Sequence, residues 1–247
     1  MAEGRWQKHT LPCAAKAVLV ERQMHYSPSM PLTGVSVVVI AAYVPAAQAA
    51  SRLRALGADV TFVLPPAGDA LAVIAASWYE ALHAGTDGVH LDLKGAAGRA
   101  DLEPILGRSD VLLTALRPSS LERLDLGWVS LHARHPRLSH VAIVGYPPPR
   151  DEEPGHDLTY QASAGLLSPP GMPRTLLADF AGAEQAALAA VALVLGRERG
   201  RGAGQRLVSL AGSVSAYADP LRHGATAPDG VLGGAFPGYA LYRASNG

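Results

Sequence analysis

A single cysteine, Cys13, stands in a chain of 247 residues. That excludes an internal disulfide framework and a thiolate metal cage, and it fits a reducing cytoplasm. Aromatic residues make up 6% of the chain, charged residues 17%, and the formal net charge is zero. Without a basic excess there is no field for counterion-driven binding to nucleic acid. Long hydrophobic runs are missing too. The longest, residues 186–196, is too short to cross a bilayer, so no membrane partner is expected. Residues 1–29 carry scattered charges and no sustained apolar stretch, which argues against a secretory leader. They read as an extension, a disordered tail or the product of a wrongly chosen start, because Met30-Pro31-Leu32-Thr33-Gly34 would itself make a natural start. Nearly half of the chain, 49%, is hydrophobic, enough for a globular core.

The hydrophobic residues alternate between two patterns. Residues 35–40 form a β-branched apolar run, as a buried parallel strand does. A helix is expected over 46–56, stopped by Gly57, and a second strand over 59–63, closed by Pro65-Pro66. Further strands are expected over 88–93, 111–114, 138–144 and 206–210. The intervening helices are expected over 71–83, 96–106, 121–132, 161–166 and 179–198. This succession predicts an α/β, Rossmann-like doubly wound parallel sheet over residues 30–218. Residues 219–247 are rich in glycine and proline and read as a linker.

The first strand–helix turn, residues 41–47, contains no glycine, and no acidic residue follows the second strand. A pyrophosphate cradle needs the first and a ribose the second. Nicotinamide and flavin binding are therefore not expected. His132, His135 and His140 show no ligand spacing with a carboxylate, so no metal site is expected either.

Two short stretches carry the chemistry. Gly155-His156-Asp157-Leu158-Thr159-Tyr160 and Leu177-Ala178-Asp179-Phe180-Ala181-Gly182 place an imidazole and a carboxylate beside glycines in small or apolar surroundings. Histidine titrates near neutral pH, and a buried carboxylate can be tuned toward it, so the pair suits proton transfer. From its neighbours alone, Asp179 suits the N-cap of the helix that follows better than it suits chemistry. Asp157 is expected to anchor its loop through the backbone rather than to do chemistry.

The order of motifs carries a resemblance. Leu32-Thr33-Gly34-Val35, Leu56-Gly57-Ala58-Asp59-Val60, Leu91-Asp92-Leu93-Lys94, Arg117-Pro118, Leu121-Glu122-Arg123-Leu124 and His135-Pro136-Arg137-Leu138 precede the two stretches above. Arg197-Glu198-Arg199-Gly200-Arg201-Gly202 follows them. Together they resemble the family III CoA-transferases of the CaiB/BaiF type, a family that includes the α-methylacyl-CoA racemases. The resemblance implies an acyl-CoA enzyme with Asp179 and His156 as catalytic residues. In the racemases the matching pair moves a proton on and off the α-carbon of the thioester. In the transferases the matching aspartate forms an acyl anhydride and then a CoA thioester. Arg123 and Arg117 are implied as contacts for coenzyme A phosphates, Leu91 and Leu93 as walls of an adenine pocket, and Lys94 as a further contact. Coenzyme A would come as part of the substrate, with no tightly bound cofactor. An interlocked homodimer is also implied. Residues 236–247 resemble the start of the family's small domain, most of which is expected to be absent from this chain.

Several family positions differ here, which keeps a truncated, catalytically impaired α/β binding or scaffold protein open as an alternative to the enzyme. Leu64 stands where a charged residue is usual, residues 84–87 replace an Asn-Arg turn, and residues 145–148 replace Gly-Phe-Gly-Gln. Asp125 stands where the family has glycine, which strains a turn that needs positive φ.

Overall fold

The computed structural model describes residues 30–244. The extension expected over 1–29 and the last three residues lie outside the described residues. From Pro31 onward the chain clusters as one compact unit. Its core is a sheet of six parallel strands in the order β3-β2-β1-β4-β5-β6. The strands are β1 (Ser36–Ile40), β2 (Asp59–Leu64), β3 (Asp87–His90), β4 (Val111–Thr114), β5 (Ser139–Val144) and β6 (Gln205–Ser209). This is the doubly wound order, with its switch point between β1 and β4.

Both faces of the sheet are covered, which is why the strands read as unbroken apolar runs rather than as alternation. Val37 and Val39 point to one face, into a core shared with α1 (Val44–Ala55), α3 (Ala76–His83), α8 (Leu177–Glu198) and α9 (Leu210–Ser215). Val38 and Ile40 point to the other face, toward α4 (Ala96–Arg108), α5 (Pro118–Arg123) and α6 (Trp128–Arg134). The remaining helices are α2 (Ala70–Ile74), α7 (Asp157–Ser163) and α10 (Asp219–Arg222). Among the described residues there are also a 3-10 turn over Ala216–Ala218 and a π-type turn over Val231–Ala235.

Helix α8 has 22 residues and is apolar enough to cross a membrane by length and composition, longer than the apolar run read from the sequence. Its composition has an internal cause. Ala178, Ala181, Ala183, Ala186, Ala187 and Ala190 are buried where the helix lies against the sheet and α1. Small residues let these backbones approach closely.

Four expected elements differ from those observed, the simplest being the helix expected over 161–166, which runs instead from Asp157 to Ser163. The helix expected over 121–132 is two helices. α5 ends in a Schellman turn, with Leu126 N–H donating to Leu121 O at 2.8 Å and Asp125 N–H to Glu122 O at 3.0 Å. Asp125 holds the left-handed position of that turn at φ 57°, as its place in the motif foreshadowed. Arg134 offsets the strain by donating to the Asp125 carboxylate and carbonyl. The strand expected over 88–93 stops at His90. Asp92 turns the chain, accepting from Lys94 N at 3.1 Å through its side chain and from Gly95 N at 3.0 Å through its carbonyl. The helix expected over 71–83 is broken at Ala75, where nothing in the residue type explains the break.

Candidate functional site

Two clefts open at the carboxyl ends of the strands, where doubly wound sheets bind ligands. The smaller has a volume of about 290 Å³. It is bordered by the ends of β4 and β5, by the loop before α7, and by the first turn of α8, and it holds His156, Asp157, Tyr160, Arg117 and Asp179. The larger, about 570 Å³, is bordered by the ends of β1 and β2 and by residues 91–94 and 120–124. Tyr43 and Leu116 line both. They stand just past β1 and β4, the two strands that flank the switch point.

Asp179 sits in the first turn of α8 and is not its cap. Leu176 occupies the cap position and offers no side-chain acceptor. The acceptor comes from another helix. Asp157, buried in the first turn of α7, accepts from the backbone N–H groups of Ala178 at 2.7 Å and Asp179 at 3.0 Å. Its other oxygen accepts from the Gln161 amide. Asp157 thus anchors the segment as expected, but through its carboxylate rather than its backbone. A non-local acceptor satisfies the free donors of the helix end and leaves the Asp179 carboxyl free to face the cavity.

Burial, with the neighbouring Asp157 carboxylate adding to it, pushes the Asp179 carboxyl up from 3.8 to about 7. Desolvation and a like charge both penalise ionisation. Near neutral pH the group therefore exchanges a proton readily. His156 is the N-cap residue of α7, exposed, in extended conformation, and its side chain makes no capping bond. It lies on the same cavity as Asp179. An acid and a base on one cavity can take a proton from a carbon held between them and return it.

The residues implied as ligand contacts divide between the clefts. Arg123, Lys94, Leu91 and Leu93 line the larger one, the two leucines from the loop after β3 rather than from the strand. Arg123 is exposed and donates to Ser120 Oγ at 2.8 Å. Arg117 lines the smaller cleft instead, with Asp179 and His156. Sequence reasoning missed Arg99. It donates to the carbonyls of Leu93 at 3.1 Å and Lys94 at 2.9 Å and so pins the loop that walls the larger cleft. The larger cleft is apolar along its floor with Lys94, Arg99 and Arg123 around it, an arrangement for an aromatic or aliphatic body with anionic groups attached. Among the described residues, no group of His, Cys, Asp and Glu is placed to hold a metal ion.

His140, by contrast, belongs to the core. It lies on β5 between Thr114 Oγ1 at 3.0 Å and the Gln205 amide at 3.3 Å, and burial pulls its pKa down to about 4. It stays neutral and holds three strands together.

The fold and the clefts define a doubly wound α/β protein with a ligand-sized crevice at its switch point and a proton-exchanging group beside it. Residues 32–247 match CoA-transferase family III, and the chain belongs to that family. Over 237 residues it is 31% identical to the alpha-methylacyl-CoA racemase of Homo sapiens, covering 88% of this chain and 60% of that protein. Over 191 residues it is 30% identical to a probable fatty acyl-CoA transferase of Mycobacterium tuberculosis, covering 70% of this chain and 48% of that protein. A crystal structure of a protein from the same bacterium superposes with a TM-score of 0.73 at 30% identity, over 80% of this chain and 60% of the other. The chain thus spans about half to three-fifths of the length of the relatives it matches.

Proposed function

We propose that the chain acts on acyl-CoA thioesters by proton transfer at the α-carbon, as a racemase does. Asp179 and His156 are the two proton-transfer groups. One removes the α-proton and the other delivers a proton to the opposite face, so the substrate leaves inverted with no net change in protons. The thioester makes the α-proton removable, because the enolate places its charge on oxygen. The observation that supports this reading best is the Asp179 carboxyl, raised to about 7 and sharing one cavity with His156. A general base or acid works best with its pKa near the working pH.

In this reading the larger cleft takes the nucleotide end of coenzyme A. Arg123 and Lys94 meet its phosphates, and Leu91 and Leu93 flank its base. Arg117 sits with the reacting end. Coenzyme A arrives and leaves as part of the substrate, and the chain works as a homodimer in the cytoplasm.

A second reading is CoA transfer from a thioester to a carboxylic acid, with Asp179 as the nucleophile. It draws support from the Asp179 carboxylate, which no described residue engages by hydrogen bonding. His156 on the same cavity favours the first reading, because covalent transfer does not require it. Incubation with a 2-methylacyl-CoA in deuterated water separates the two. Deuterium appearing at the α-carbon, and lost in both His156→Ala and Asp179→Ala, supports proton transfer. CoA appearing on an added carboxylic acid without α-exchange supports the second reading. Failure to bind any CoA ester would sink both.

A further inference from the structure

Tyr160 is buried, with 3% of its surface exposed, yet it borders the smaller cleft together with Asp179 and His156. Its position is tightly built. The ring packs edge-on against Tyr146, with centroids 5.1 Å apart. Two glycines make room for it. A Cβ on Gly145 would collide with the Tyr160 hydroxyl, and one on Gly155 would collide with the ring edge. Gly145 and Gly155 line the cavity themselves, so the hydroxyl end of Tyr160 lies at the cavity wall. No described residue pairs with that hydroxyl. A buried phenol normally finds a partner, and Tyr160 borders a cavity in which a bound molecule could supply one.

Building on the proposed acyl-CoA reading, we infer that Tyr160 is a catalytic residue whose hydroxyl donates a hydrogen bond to the thioester carbonyl oxygen as negative charge develops there. When the base removes the α-proton, the electron pair of the C–H bond forms the C=C bond of the enolate. The carbonyl π pair moves to oxygen, where the phenol O–H meets it. No proton changes hands at Tyr160, and the charge disperses when the α-carbon is reprotonated. The same oxygen carries the charge if a carboxylate adds to the carbonyl, so the role does not depend on which chemistry the site performs. Burial, then Tyr146 and Asp179, push the phenol up to about 12. It therefore keeps its proton throughout the working range and has it available to donate in a hydrogen bond. Position and protonation are both fixed before substrate arrives, which is what makes such a donor effective.

The test uses the 247-residue chain with a 2-methylacyl-CoA substrate. Tyr160→Phe keeps the ring and removes the donor. The expected result is a fall in kcat of about 10²–10³, the usual cost of one oxyanion donor, with KM little changed. Fluorotyrosines incorporated at position 160 keep both ring and hydroxyl while making the phenol more acidic, and kcat should track that acidity. A purely structural tyrosine would not respond in this way. Wild-type kcat in Tyr160→Phe, or kcat indifferent to fluorination in an active enzyme, overturns the inference and leaves the acyl-CoA reading standing. A wild-type chain that catalyses neither α-exchange nor CoA transfer overturns the acyl-CoA reading, and this inference with it.

Discussion

Replacing Asp179 with asparagine should abolish activity and stabilise the fold at neutral pH. The stabilisation follows from linkage. A carboxyl that titrates at 3.8 when exposed and about 7 when folded keeps its proton in the native state while the unfolded chain has released it. The native state then binds more protons, so this group makes stability fall as pH rises from about 4 to about 7. Below that window both states are protonated and the group contributes no penalty. Above it the penalty is complete. The full difference corresponds to about 4 kcal/mol at ~1.4 kcal/mol per pH unit, and partial solvent access to the half-buried side chain reduces the expectation to about 2–4 kcal/mol. Asparagine mimics the protonated group in size and cannot ionise. Urea unfolding of wild type and Asp179→Asn, repeated between about pH 4 and about pH 8, reads the effect directly. The two proteins should have equal stability at the acid end, and the variant should pull ahead through the window. A variant no more stable than wild type at the upper end would refute the argument that Asp179 is held against its preference to ionise. So would a gain that does not vary with pH.

Three other perturbations test the surroundings of the site. Asp157→Ala removes the acceptor for two backbone donors of α8. It should cost about 1–3 kcal/mol in thermal or urea unfolding and, by removing a nearby negative charge, move the acid limb of the pH–rate profile downward. Arg123→Ala should weaken binding of free coenzyme A by roughly tenfold or more, measured by calorimetry, as loss of a charge-assisted contact does, with the difference shrinking as salt is raised. Gly98→Ala places a Cβ onto the backbone carbonyl of Asp92. The turn that carries Leu91, Leu93 and Lys94 must then shift, so coenzyme A binding should weaken and stability should fall by about 1–3 kcal/mol.

The architecture was legible because the sheet is buried on both faces. Residues 111–114 read as a strand and form β4 to the residue, and the runs at 36–40 and 139–144 lie within one residue of their expected bounds. Two of the misreadings share a cause. Apolar spacing reports burial, not hydrogen bonding. Leu91 and Leu93 continue the alternation of β3 because they wall a cleft, although Asp92 has already turned the chain. Leu121 and Leu131 are both buried in one cluster, although one helix ends and another begins between them, around Asp125. The motif pointed to a turn at Asp125, but the apolar spacing did not, and an aspartate held by Arg134 is a weaker mark of a break than a glycine.

The site was legible only in part, because its decisive contact is non-local. Asp179 beside small residues at the head of a long helix looks like a cap, and nothing in its own neighbourhood argues otherwise. What frees it is Asp157, which takes over the capping from a separate helix. That one substitution of roles accounts for two properties at once. The Asp179 carboxylate is released toward the cavity, and a second negative charge is fixed close enough to help raise its pKa. The same logic explains the division of the arginines. The loops leaving β1 and β4 part at the switch point, so the crevice between them forms two clefts that meet at Tyr43 and Leu116. Arg117, directly after β4, falls on the side of Asp179, and Arg123, one helix further on, falls on the other. Two arginines close together in the sequence thus line different clefts. Losing Arg123 should therefore be felt chiefly in affinity, whereas losing Arg117 should be felt in the rate of the chemical step.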